Sequence, residues 1–144
     1  MVGKLAAVYA DFMDWKQFDK EIRSLAVRID WKPDAVIGIA RGGVVPAVLL
    51  SKFLKVKDMY VLKVRREGTE RRIMAEIVPD VAGMHILLVE DMLETGKSMI
   101  AAKEYLEERG VEVKTTCLYT MPQSEIKPDF SLKEVTAVVP FPWE

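Results

Sequence analysis

Apolar positions along the chain follow two periods. Over residues 14–29 they recur at helical spacing, with Trp15, Phe18, Ile22, Leu25, Ala26 and Ile29 on one side. Asp14 can cap this segment and Gln17, three residues on, can complete a capping box, which predicts a helix that Lys32-Pro33-Asp34 breaks. Residues 35–40 (AVIGIA) then run without a polar interruption, as in a strand buried on both faces of a parallel sheet. Helical spacing returns over 45–54. Strands are predicted at 59–64 (MYVLKV) and 85–89 (HILLV). A third helix is predicted over 97–109, with Met99, Ala102, Tyr105 and Leu106 on one side and Gly110 as its stop, and a last strand at 113–119. Helix, strand, helix, strand, strand, helix, strand is the order of an α/β fold, a mostly parallel central sheet flanked by helices. Ligands of such sheets bind at the carboxyl ends of the strands.

That rule directs attention to residues 89–98, VEDMLETGKS. Glu90 and Asp91 fall at the carboxyl end of a predicted central strand, and residues 92–96 form the turn into the next helix. Thr95, Gly96, Lys97 and Ser98 place hydroxyls and backbone N–H groups at a helix N-terminus, where phosphate binds well. Gly96-Lys97-Ser98 also supplies the last three residues of a Walker A loop. That loop needs a glycine five positions earlier, where this chain has Asp91, and an acid there would repel the polyphosphate. The acids suit hydroxyl groups instead, because carboxylates accept strong hydrogen bonds from them, and carboxylates can share Mg2+ with ligand phosphates. A ribose phosphate carrying a metal-bound pyrophosphate meets all these demands.

Bulk properties narrow the setting. A chain of 144 residues, half of them hydrophobic, suits one domain with a real core. The formal charge of -1 provides no global attraction for nucleic acid or an anionic membrane, so neither is an expected partner. The apolar run Leu5 to Ala10 is too short for a signal-peptide core, and no run approaches a membrane span. A single cysteine, Cys117, is compatible with a reducing cytoplasm and reads as a small core residue. His85 stands alone at a strand start and reads as structural or surface. Trp15, Trp31 and the methionines read as core or helix-face packing.

Two segments carry a family resemblance. ILLVEDMLETGKSM resembles the phosphoribosyl-pyrophosphate (PRPP) signature of type I phosphoribosyltransferases, and VIGIARGGVVPAVLLSKFL, residues 36–54, is similar to the pyrophosphate-loop strand and helix of their 6-oxopurine branch. The DWKQF start and FPWE end also resemble the short archaeal and bacterial xanthine-guanine and hypoxanthine enzymes. The resemblance implies the type I fold over residues 1–144, with a mobile loop at about 64–73 and a small C-terminal hood at about 121–144. It implies transfer of a phosphoribosyl group from PRPP to a purine base with release of pyrophosphate, in purine salvage, by a Mg2+-dependent homodimer or higher oligomer.

The same resemblance implies a role for each matching position. Glu90 and Asp91 would hold the ribose hydroxyls and Mg2+. Glu94 would act near N7 of the purine. Thr95, Gly96, Lys97 and Ser98 would bind the 5'-phosphate, while Arg41, Gly42 and Gly43 would line the pyrophosphate site next to a peptide that is often strained or cis in the family. Between the motifs lies KVRREGTERR, residues 63–72, with five basic residues against two acidic ones and a turn at Gly68-Thr69. By resemblance this is the loop that closes over PRPP, bringing Arg65, Arg66, Arg71 and Arg72 to the leaving group. At the base pocket the chain departs from the family pattern. Met121 stands at a lysine position, and Val138-Val139 at a Trp-Ile pair, which removes a donor for a 6-oxo group and an aromatic stacking face. Two readings stay open: an active purine transferase, or a PRPP- or nucleotide-binding regulatory protein of the same fold.

Overall fold

The computed structural model describes residues 9–74 and 79–144, so the start of the apolar Leu5-to-Ala10 run lies outside them. The elements are α1 (Trp15–Arg28), β1 (Ala35–Ala40), α2 (Val44–Phe53), β2 (Asp58–Glu67), β3 (Glu70–Ile73), β4 (His85–Val89), β5 (Met92–Leu93), α3 (Lys97–Glu107), β6 (Glu112–Thr116), β7 (Tyr119–Thr120) and β8 (Lys133–Glu134). Asp14 caps α1, its Oδ1 accepting from the Gln17 N–H at 2.8 Å. The buried stripe of α1 is Phe18, Ile22 and Leu25. Trp15 differs from the expected pattern and is 55 % exposed. It sits in the first turn, beside the rings of Phe18 and Trp143, with centroids 6.1 and 6.0 Å away.

Five strands form the central sheet in the order β3-β2-β1-β4-β6. Every pair is parallel except β2 and β3. Because β1 and β4 are central and covered on both faces, their residues are apolar apart from His85 at the start of β4. Val36, Leu87 and Val89 pack into a core with Phe18, Ile22 and Leu25 of α1 and Ala47 and Leu50 of α2. Ile37, Ile39, Ile86 and Leu88 pack on the opposite face with Met99, Ala102 and Leu106 of α3. Cys117 is buried in that second core. His85 is surface-exposed at the start of β4, where it stacks on Trp31 and its Nε2 lies 2.8 Å from Glu112 Oε2.

Three expectations are corrected. Residues 113–119 do not form one strand: β6 ends at Thr116, and Tyr119 begins β7 in a second sheet of order β5-β7-β8. The break follows from β4, whose chain turns at Glu90, leaving β6 without its parallel partner. Cys117 N–H then donates to Phe130 O at 3.2 Å and Leu118 N–H to Asp91 O at 2.9 Å. Both halves are buried, so hydrophobic periodicity carries no trace of the break. Likewise the turn expected over 92–96 contains β5, which pairs in parallel with β7. The strand expected over 59–64 also runs longer, through Glu67, and returns as β3 in a hairpin.

Candidate active site

The carboxyl ends of the neighbouring strands β1 and β4 bring the two sequence motifs into contact. After β1 the chain turns through Arg41, Gly42 and Gly43, with a cis peptide between Ala40 and Arg41 and Gly43 N–H donating to Ile39 O at 2.8 Å. There is no room for side chains on the two glycines. A Cβ on Gly42 would stand 2.5 Å from Asp91 Oδ2, and one on Gly43 would collide with the Val89 carbonyl and lie 2.9 Å from Ile39 N. The glycines therefore let one turn lie flat against the acid at the end of the next strand. Arg41 is exposed beside it.

Backbone bonds hold the acids themselves in place. Glu90 N–H donates to Thr116 O at 3.1 Å, and Met92 N–H donates to Asp91 Oδ1 at 2.6 Å. Asp91 is 8 % exposed and Glu90 is partly buried. Burial first, and then its neighbour's charge, pushes the Glu90 carboxyl well above its ordinary range. Burial and then the adjacent Glu144 carboxyl raise Asp91 to about 7. Among the described residues no lysine or arginine pairs with either acid. Two desolvated carboxylates that lack a counter-charge fit a cation. No group of three or more His, Cys, Asp or Glu among the described residues could enclose one. A divalent ion would thus share its coordination with ligand oxygens, as Mg2+ commonly does with phosphates.

Beyond the acids, β5 leads into the loop before α3. Gly96 takes the left-handed conformation, with φ 78°, at the helix N-cap. A Cβ there would lie 2.6 Å from Ile126 Cγ2 and 2.8 Å from Ser124 Oγ, so the position excludes a side chain on two counts. Gly96 has no side chain to cap the helix, and the nearest acceptor is Thr95, whose Oγ1 takes the Lys97 N–H at 3.4 Å, so the helix start presents its N–H groups beside the Thr95 and Ser98 hydroxyls.

Opposite this loop stands the β2–β3 hairpin. Its register pairs Val64 with Ile73, Arg65 with Arg72, Arg66 with Arg71 and Glu67 with Glu70. Residues directly opposite share a face, so the two faces have different charge. One carries Arg65, Arg72, Glu67 and Glu70 and is balanced, with Arg72 Nη1 3.7 Å from Glu67 Oε1. The other carries Arg66 and Arg71 without an acid. That cationic face, with Gly68 and Thr69, closes a cavity of about 280 Å³ whose other wall is Glu90 and residues 92–99.

The structure thus joins Glu90, Glu94, Thr95, Gly96, Lys97 and Ser98 to Arg66 and Arg71 in one cavity, and sets Arg41, Gly42 and Gly43 beside Asp91. Arg65 and Arg72 lie on the hairpin's outer face. The three base-pocket candidates do not line this cavity. Met121 is buried, Val138 is half-buried in a bridge to Tyr9, and Val139 lines a separate cavity of about 580 Å³ between residues 10–17 and 133–139. Glu144, Ser124 and Ile126 join the site from the far end of the chain. No local motif marks them, and only the close of the fold brings Glu144 to Asp91 and the 124–126 segment onto Gly96.

Comparison with known proteins agrees with this geometry. The phosphoribosyl transferase domain family matches residues 9–144. The fold superposes on a purine phosphoribosyltransferase from Pyrococcus horikoshii with a TM-score of 0.86 at 32 % identity, covering 94 % of this chain and 93 % of that one. A xanthine-guanine phosphoribosyltransferase of Cereibacter sphaeroides is 28 % identical over 92 % of this chain and 85 % of its own length. A ribose-phosphate pyrophosphokinase of Pasteurella multocida is 34 % identical over 91 residues, and the match spans 29 % of its length. The chain belongs to the phosphoribosyl transferase domain family.

Proposed function

We propose that the protein transfers the phosphoribosyl group of PRPP to a purine base of the hypoxanthine, guanine or xanthine type and releases pyrophosphate. The observation that carries this reading is the shared cavity, where a helix N-terminus with its hydroxyls, the acid Glu90 and an unbalanced arginine face converge, with the buried Asp91 next to Glu90 against the glycine turn. The loop at Thr95 to Ser98 holds the 5'-phosphate. Glu90 and Asp91 hold the ribose hydroxyls and are the residues that would bind Mg2+, which when bound supplies positive charge to the pyrophosphate. Arg41 and the amides of Gly42 and Gly43 receive the pyrophosphate, with Arg66 and Arg71 closing from the hairpin.

Reaction forms a bond between a purine nitrogen and the anomeric carbon. It breaks the bond from that carbon to pyrophosphate oxygen, and the electron pair leaves with the pyrophosphate. Residues that neutralise this developing charge lower the barrier. Glu94, exposed on the cavity wall, accepts the proton that the base loses. Closing the hairpin, the proposed mobile loop at 64–73, would exclude water from the oxocarbenium-like centre. The segment 121–144 forms the hood, with Met121 and Val138 against the base and Val139 turned into the separate cavity. We further assign the protein to the cytoplasm as a homodimer or higher oligomer. The 40 % exposure of Val48 on the apolar helix α2 supports a covering partner, and a fully active monomer would overturn that assignment.

The test is pyrophosphate release from PRPP and Mg2+ against hypoxanthine, guanine, xanthine, adenine and uracil. Release with a purine is the expected result. Bound PRPP without release from any base would instead favour the regulatory reading, which the buried, apolar Met121 supports because it cannot donate to a 6-oxo group.

A further inference from the structure

The transferase reading leaves the base beside Val138, with no aromatic face. We propose that Tyr9 supplies it, as the stacking residue that selects a purine. This inference rests on placing the base at Val138.

Tyr9 and Val138 are direct partners in a parallel bridge, and the next residue locks the pairing, Ala10 N–H donating to Val138 O at 2.8 Å. Partners in a parallel pair project their side chains to the same face. The residues that alternate with them point the other way: Val139 is 8 % exposed in the core, and Ala10 and Val139 line the same inner cavity. Tyr9 therefore covers whichever face Val138 presents to the base. Its cross-strand neighbour is close enough for the two side chains to flank one flat ring.

The state of the ring points the same way. Tyr9 is 65 % exposed. Trp15, Phe18, Phe141 and Trp143 pack on one another, and Tyr119 stacks on Phe141, but Tyr9 has no ring partner among the described residues. Phe12, the other exposed aromatic of this segment, lines the inner cavity instead. A phenol ring held in register by backbone bonds and largely exposed among the described residues is a ready platform for a planar heterocycle. A bicyclic purine would cover more of it than a pyrimidine, so the ring discriminates by base size.

The experiment is steady-state kinetics of the wild type, Tyr9→Ala, Tyr9→Phe and the double variant Tyr9→Ala/Val138→Trp with the best purine, and melting temperature for each. In Tyr9→Ala the KM for the base should rise about tenfold or more, within the range found for base–aromatic stacking, while the KM for PRPP stays at its wild-type value. Tyr9→Phe keeps the ring and should keep the wild-type base KM. The double variant puts an aromatic ring on the neighbouring position and should recover most of the loss. An unchanged base KM in Tyr9→Ala would overturn the assignment. So would a rise that Tyr9→Phe shares, or one that tracks a fall in melting temperature and is not recovered by Val138→Trp. A wild type that turns over no purine would overturn the transferase reading itself and this inference with it, a result distinct from an active wild type insensitive to Tyr9.

Discussion

The proposed phosphate end of the site and its proposed base end are built on different principles. At the phosphate end three backbone turns touch: the glycines after β1 lie on Asp91 and Val89, and Gly96 lies under Ser124 and Ile126. Recognition in the proposed reading would come there from main-chain N–H groups and from acids fixed by the backbone, so almost no side chain would be free to vary. At the base end the second sheet consists of two-residue strands, and the faces that would meet the base carry ordinary side chains. Met121 and Val138 contribute side chains to the core there, and neither is pinned by a backbone atom in the way that the glycines are. A fold of this kind can hold its phosphate chemistry constant while its base preference drifts, because rigid packing guards only one of the two ends.

The largest effect should follow from adding one methyl group at the phosphate end. Gly43→Ala would push against the Val89 carbonyl and the Ile39 backbone, neither of which can rotate away. A loss of about 3 kcal/mol or more in urea unfolding is expected, with turnover abolished. Gly83→Ala is the control, since its φ is 80° and nothing lies within 4 Å of the added atom. It should cost about 1 to 2 kcal/mol, from the left-handed backbone alone. Equal costs at the two positions would break the contrast.

Asp91→Asn should come next, lowering kcat/KM for PRPP by about a hundredfold or more while the fold survives. Unchanged PRPP use would remove the acid from the site. The same variant tests the electrostatics. Asp91 goes from 3.8 in the unfolded chain to about 7 in the folded one, so the folded protein holds this proton more tightly. Its contribution to stability is complete below about pH 4 and is lost as the pH rises through about 7. Glu90 is shifted in the same direction. The ligand-free protein should therefore unfold at lower urea as the pH climbs across that window, and Asp91→Asn should flatten the decline.

The hairpin offers an internal comparison of intermediate size. Arg66→Ala or Arg71→Ala should each reduce kcat/KM for PRPP by about tenfold or more, the scale of a charge-assisted hydrogen bond. Arg65→Ala and Arg72→Ala, on the balanced outer face, should change it little, since exposed pairs contribute about 1 kcal/mol at most. Equal losses from all four would mean that the register does not sort them. The smallest effect on PRPP is expected from Met121→Lys, whose change should appear in base preference. Kinetics over the base panel should show a gain for 6-oxopurines with PRPP affinity unmoved, and a shift in PRPP affinity instead would place residue 121 elsewhere.

Much of this was legible along the chain. The runs AVIGIA and HILLV announced strands buried on both faces, and the acids and the TGKS turn sat where strand ends meet helix starts. These signals are local, because a strand's burial and a helix's N-terminus each leave a mark within a few residues. The hairpin shows where local signals stop. Five basic residues in 63–72 read as one cationic loop, and nothing in their order separates Arg66 and Arg71 from Arg65 and Arg72. Strand pairing makes the separation, by setting alternate residues on opposite faces. The single strand expected over 113–119 failed for a similar reason: its break is dictated by where the partner strand ends.

The sequence by itself determined the α/β architecture, the two motifs and the departure at Met121 and Val138, since each depends on residue type and short-range spacing. Only the tertiary structure decided that Gly42 rests on Asp91, that Glu144 comes to the same carboxylate from the end of the chain, and that Tyr9 stands beside Val138. Such juxtapositions arise from strand register and chain closure, which join residues 49, 53 and 129 positions apart and leave no periodic trace in either segment.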